Sequence, residues 1–229
     1  MKKILFCILV IYSSVSLTAQ NATNSPTSMF GLGEVSTGEG GQYAGLGGMG
    51  IALRGNTFLN NANPASLTEL SGQRFQFDAG IMGAYQSYTQ RGSTNHSVIG
   101  NLNNLSIGCR ILPHWYGAAF LAPVSSVGYA ITLDESISGT NGSTVSSLFQ
   151  GEGGLSKIGI STAYLLGKNL SIGTNLSYVT GTITQTEIQG SSTEETSSYK
   201  NTFYADFGIQ YKWAIDREHS FVVGGVYGY

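Results

Sequence analysis

The chain has 229 residues, 11 basic against 13 acidic side chains, a net charge of −2, and only 10% charged residues beside 41% hydrophobic ones. Losing Lys2 and Lys3 with a leader takes the charge to about −4, which offers nothing to nucleic acid. So few charges exclude an ordinary soluble surface, while the apolar content with 13 Tyr, 10 Phe and 32 Gly excludes disorder.

Lys2 and Lys3 precede the apolar run Ile4 to Tyr12, and small residues lead to a cleavage point after Ala19. That order predicts a secretory signal peptide over 1–19, whose apolar run is far shorter than the roughly 18 or more residues of a spanning helix. The mature chain keeps one cysteine, Cys109, so no internal disulfide forms, and a buried apolar filler is the expected role. Residues 20–73 then read as an irregular leader with little sheet, carrying Gly45-Leu-Gly-Gly-Met-Gly50 and Asn60-Asn-Ala-Asn-Pro-Ala-Ser66.

From Phe75 the pattern turns to period-two alternation, and 74–229 reads as a run of β-strands. Seven are predicted: Phe75 to Tyr88, Asn101 to Leu112, Trp115 to Asp134, Leu155 to Leu166, Leu170 to Thr184, Tyr199 to Ile215, and Phe221 onward. The third is the least regular and the sixth the clearest. Six charged residues, Asp78, Arg110, Lys157, Lys200, Asp206 and Lys212, all fall opposite the apolar face, a placement that chance gives about once in 64 on two-faced strands. A lipocalin-like soluble barrel turns its apolar face inward, and a membrane barrel turns it outward. The mostly uncharged polar face and the strand lengths favour the membrane arrangement, with Asp78, Arg110, Lys157, Lys200, Asp206 and Lys212 facing the lumen. Tyr85, Trp115, Tyr211 and Trp213 are the candidate girdle aromatics.

Connections alternate in length. Pro113-His114, Gly167-Lys168 and Asp216-Arg-Glu218 are tight, whereas Thr89 to Ile99, Glu135 to Gly154 and Glu187 to Ser198 read as long polar loops. Short periplasmic turns and long extracellular loops give that pattern. Seven strands leave the last one running outward, so the expectation is an incomplete barrel. Splitting the third strand at Pro123-Val-Ser-Ser126 gives eight, but then Glu135 to Gly154 becomes a periplasmic loop. Pro123 removes a ladder donor, and predicts a kinked wall with Ser125 and Ser126 supplying hydrogen bonds, a strand end, or a bulge that adjusts curvature.

Gly45, Gly47 and Gly50 match G-x-G-x-x-G, with Glu69 downstream, but Gly55 and Pro64 deny the following helix that a dinucleotide site needs. His96, His114 and His219 show no ligand spacing, so no metal, no cofactor and no catalytic residue is assigned, and no enzyme is expected.

Asn63-Pro64-Ala65, with Gly47-Gly-Met-Gly-Ile-Ala-Leu53 before it and Phe75-Gln-Phe-Asp-Ala-Gly80 after it, resembles the FadL-type outer-membrane transporters in their Bacteroidetes version. The resemblance implies a fourteen-stranded transmembrane antiparallel β-barrel, of which this chain is a C-terminally truncated fragment holding the N-terminal half. It implies that residues 20–73 form a lumenal hatch with Asn63, Pro64 and Ala65 as its motif. It implies a lateral opening near Pro123, Ser125 and Ser126 in the bacterial outer membrane. The implied function is passive uptake of a hydrophobic small-molecule ligand, a fatty acid or aromatic hydrocarbon, with release into outer-membrane lipid. The alternative is a non-transporting barrel with a secretion or surface protein partner, as in type IX secretion. A soluble secreted β-domain is the third expectation.

Overall fold

The computed structural model describes residues 23–36, 43, 45–70, 75–90, 92–136, 144–216 and 219–228. The expected signal peptide, part of the tight turn at Arg217-Glu218, and Tyr229 lie outside the described residues. The strands are β1 (Glu34–Val35), β2 (Gln76–Gln90), β3 (Ser93–Leu112), β4 (Trp115–Ser136), β5 (Thr144–Leu166), β6 (Leu170–Gln189), β7 (Ser192–Ala214) and β8 (Ser220–Gly228). Strands β2 to β8 pair with their chain neighbours in one antiparallel sheet, and β1 adds to β4. The sheet curls into a half-barrel.

All seven alternating segments are strands, and the loop expectation is corrected. Pairing of β2 with β3 runs to Gln90↔Ser93, of β4 with β5 to Ser136↔Thr144, and of β6 with β7 to Gln189↔Ser192. Most of the supposed long loops are therefore tall hairpins, turned at Gly92 (φ 83°) and Gly190 (φ 59°), a backbone conformation that glycine adopts without strain. They escape the alternation test because both of their faces are polar, as in Glu194, Glu195, Thr196 and Ser197, yet β-branched Thr still suits an extended ladder.

Large apolar side chains lie on the exposed face: Phe77 is 64% exposed, Ile81 85%, Phe203 82% and Trp213 64%. Asn104, Ser106, Asn175, Ser171 and Gln210 are buried on the other face. This inverts the usual arrangement of a water-soluble protein. On β5, β6 and β7 the exposed apolar band runs from Ile158 to Leu166, from Leu170 to Tyr178 and from Phe203 to Trp213. Such lengths match the roughly 9–11 residues of a membrane-spanning strand. Trp115, Tyr211 and Trp213 stand near the tight-turn end of the sheet, while Tyr85 stands toward the β2–β3 hairpin tip.

The irregular pattern of β4 has a local cause. Pairing with β5 shifts register between Pro123 and Ser125, so that Tyr116, Phe120 and Ala122 are buried before the bulge and Ser125, Val127 and Tyr129 after it. One extra residue moves the buried set from even to odd positions. Strand β4 neither ends nor splits at Pro123.

Candidate functional site

The polar face is covered by the chain's own N-terminal segment, through a 3-10 turn at Pro26–Met29, β1, and a 3-10 helix at Pro64–Glu69. Asn63 is fully buried and caps the second of these, its Oδ1 accepting from the Ala65 amide at 3.0 Å. Its Nδ2 donates to the Ile51 carbonyl at 2.7 Å and to the Ile209 carbonyl of β7 at 3.3 Å. Pro64 follows at the first helical position, where its missing amide costs nothing. One side chain thus ends a loop, starts a helix and ties both to the wall.

Glycines on the wall admit this approach. A Cβ on Gly173 would come within 2.6 Å of the Ala65 nitrogen, and one on Gly208 would collide with the Asn63 carboxamide. A Cβ on Gly224 of β8 would meet the Ile51 carbonyl. Sequence reasoning passed over these three, although a glycine on the polar face of a strand marks close backbone approach. Gln210, fully buried between them, donates to the Ile51 carbonyl at 2.7 Å.

Charge fixes the far end of the segment. Arg54 Nη2 donates to Thr68 Oγ1 at 2.5 Å and to Ser171 Oγ of β6 at 2.6 Å. Its Nε stands 3.4 Å from Glu69 Oε2, which is close enough for attraction but is not a formed hydrogen bond. Lys212 Nζ reaches Glu69 Oε1 at 3.3 Å. Of the six charges singled out in the sequence, Lys212 therefore meets the segment, and Asp78 accepts from the Leu59 amide at 3.2 Å. Arg110 lies over the Tyr116 ring and Lys157 over the Phe120 ring, both 5.9 Å from the centroid. Asp206 pairs in register with buried Asn175, and Lys200 is exposed. Arg54 and Glu69 were not among the sequence candidates, because the leader gave no periodicity against which to place them.

The third feature is a split in the wall. Among the described residues β3 pairs with β4 only from Leu105 to Leu112, although both strands run on for many residues. The split opens at Leu105↔Leu121, level in register with Ile158 and Tyr178 at the upper border of the apolar band. On the β4 side it is filled by β1, with Glu34↔Ser126 and Val35↔Ser125 in register. Ser36 N then donates to the Val124 carbonyl at 2.9 Å, and Ser25 N to the Gly128 carbonyl at 2.8 Å. Pro123, Ser125 and Ser126 thus stand where the chain's own strand docks. Cavities of about 440 Å³ and 790 Å³ flank it, the first lined by Asn101, Leu121, Pro123, Ser125 and Glu152, the second by Asn95, Ser97 and Tyr129.

The carboxylate of Glu34 is set by this docking. Burial raises its pKa, but bonds from the Ser25, Thr23 and Thr27 hydroxyls outweigh that and hold it below the ordinary value. Thr23 Oγ1 donates to it at 2.6 Å and Thr27 Oγ1 at 3.1 Å.

The remaining sequence candidates stay apart. His96 stacks on Tyr85, His114 tilts against Tyr164, and the His219 amide donates to the Asp216 carboxylate that caps their turn. Gly47 and Gly48 lie in a turn closed on the Tyr43 carbonyl. Cys109 is a half-buried free thiol.

Comparison with protein families matches residues 1–228 to the BamG family. No curated protein and no solved structure matches the chain. The family match corrects the FadL-type resemblance, which rested on the short Asn-Pro-Ala motif, the Gly-rich stretch before it and the start of the first strand. With that resemblance goes the basis for a fourteen-stranded transporter and for a fatty-acid cargo. The match and the outward apolar face place the chain at the outer membrane.

Proposed function

The chain belongs to the BamG family, and from that premise we propose that it is a non-transporting outer-membrane barrel component that acts through a protein partner in outer-membrane assembly. The family match over residues 1–228 carries this reading. Three features of the molecule agree with it. The exposed apolar band suits lipid contact, since a strand face of that kind left in water is a large apolar patch. The covered face carries, among the described residues, no group of three or more His, Cys, Asp or Glu side chains that could hold a metal ion. The N-terminal segment is bolted to β6 and β7 by Asn63, Gln210 and the Arg54–Glu69–Lys212 cluster, in which Arg54 also bonds Ser171. A plug so fastened serves a scaffold, whereas passage of a cargo requires those buried bonds to break together.

The test is purification of the tagged full chain from outer membranes in mild detergent. A stoichiometric complex with outer-membrane assembly proteins, and a fall in other barrel proteins on depletion, are the expected results. A chain that purifies alone with a hydrophobic small molecule bound, and whose depletion changes only uptake of that molecule, overturns the proposal.

A further inference from the structure

Gln90 and Ser93 close a two-residue hairpin, and in such a turn the closing pair exchanges both backbone hydrogen bonds. The bonding then alternates along β3. Thr94, His96, Val98, Gly100 and Leu102, opposite Thr89, Ser87, Tyr85, Gly83 and Ile81, turn their N–H and C=O groups away from β2 and into the split. No strand of the described residues pairs with β3 there, and no other described group takes these five residues' backbone up. Among the described residues they form an unpaired edge about 27 Å long at a rise of roughly 3.4 Å per residue.

We propose that this edge is a strand-docking site, at which an extended segment of the protein partner adds to β3 by backbone hydrogen bonding. The inference rests on the partner reading given above and names the place where that partner binds. Four observations favour a polypeptide over a lipid chain. Acyl chains cannot hydrogen-bond a ladder of amides and carbonyls, whereas an added strand satisfies them all. The split already accepts a strand, because β1 sits in it against Ser125 and Ser126 of β4 and leaves the β3 side open. Ser125 Oγ, on a side chain 4% exposed that lines the inner cavity, has no hydrogen-bond partner among the described residues. The cavity mixes apolar Leu102, Leu121 and Pro123 with polar Asn101 and Thr182 and carries Glu152 as its one charged lining side chain, so it suits a segment of mixed side chains with a basic residue opposite Glu152.

An unpaired edge of this length is a standing template for association, and proteins cover such edges unless a partner uses them. Here the chain covers the β4 edge with β1 and with Ser25 and Ser28, which bond Gly128, while among the described residues it bonds β3 from side chain to side chain, Asn24 on Ser97 in the unpaired stretch and Asn61 on Ser106 in the stretch paired with β4.

The test is residue-resolved amide exchange on the co-purified complex and on the chain alone in phospholipid vesicles. Strand addition slows the amides of Thr94, His96, Val98, Gly100 and Leu102 by about tenfold or more in the complex, and leaves the alternate ones, already bonded to β2, unchanged. Gly100→Pro removes one N–H facing the split without touching the β2 ladder, and releases the partner while the barrel still migrates as a folded species on an unheated gel. Unchanged exchange at those five amides in a complex that persists overturns the docking site and leaves the partner reading standing. The same protection in vesicles of the chain alone assigns the edge to a different occupant and also overturns it. A wild-type chain that recovers no partner overturns both.

Discussion

The Asn63 carboxamide occupies the space that a side chain on Gly208 would fill. A single methyl on β7 and the cap of the 3-10 helix at Pro64–Glu69 are therefore mutually exclusive, and the position of the N-terminal segment is written into the wall as missing atoms. Gly173, in register with Gly208, extends the same seat to β6.

Gly208→Ala is expected to lift the segment off the sheet and to cost about 1–3 kcal/mol, the usual penalty of overpacking a filled interior. Limited proteolysis within 45–70 checks it, with thermal unfolding in detergent as the second reading. Gly225→Ala, whose added Cβ would meet only Ile209 at 3.6 Å, should behave as wild type. Equal protease resistance in the two variants would sink the seat.

Strand positions were legible in the sequence because lipid-type and polar environments impose a two-residue period, clearest in Phe207, Ile209, Tyr211 and Trp213 against Asp206 and Lys212. Strand lengths were not, since above the apolar band residues such as Thr196 and Ser197 meet similar surroundings on either face and leave no period to read. The β4 pattern was unreadable for a different reason. The bulge at Pro123 and Ser125 inverts parity in mid-strand, so that neither template fits the whole. Asn63-Pro64-Ala65 drew attention for its resemblance to other leaders; its place in the structure follows from a buried cap and two glycines on distant strands, Gly173 and Gly208. β1 is two residues long and left no signal at all.

Glu69 joins Arg54, whose side chain is 7% exposed, to the more exposed Lys212. Glu69→Gln leaves a buried guanidinium with its two hydroxyl partners but no counter-charge, and should destabilise by about 1–2 kcal/mol, less than the roughly 3–5 kcal/mol of breaking a fully buried, hydrogen-bonded pair, because Glu69 is 30% exposed. Lys212→Gln should cost less, because its ammonium is open to solvent and screened. A double-mutant cycle of Arg54→Met with Glu69→Gln reads the coupling directly. Additive losses would show that the two side chains act independently.

The pH dependence of β1 docking follows from Glu34. Its folded pKa lies below the unfolded value, so its contribution is fully present above the ordinary carboxylate range and disappears as pH falls through the depressed folded value. Acidification should therefore loosen Thr23–Ser36 before the sheet itself yields, seen as faster amide exchange at Glu34 and Val35, the β1 residues paired with β4. Glu34→Gln should abolish that acid step and show the loosened exchange already at neutral pH. An acid transition of equal size in the Gln variant assigns it to another group.

Phe207 lies mid-way along the exposed band of β7, and Ser197 lies on the same exposed face above it. A cation at the first site would enter hydrocarbon if the band faces lipid, at a cost of about 2–4 kcal/mol near the bilayer midplane and 0–1 kcal/mol near its borders. Phe207→Lys should therefore lower stability in vesicles by that larger amount, while Ser197→Lys changes little. If the band instead faced water, replacing an exposed Phe by Lys would cost almost nothing and would raise solubility without detergent. Membrane fractionation and urea unfolding of the two variants in vesicles separate these outcomes. Recovery of Phe207→Lys in the aqueous phase, folded and undiminished, would return the chain to the soluble β-domains that its alternation alone also permits.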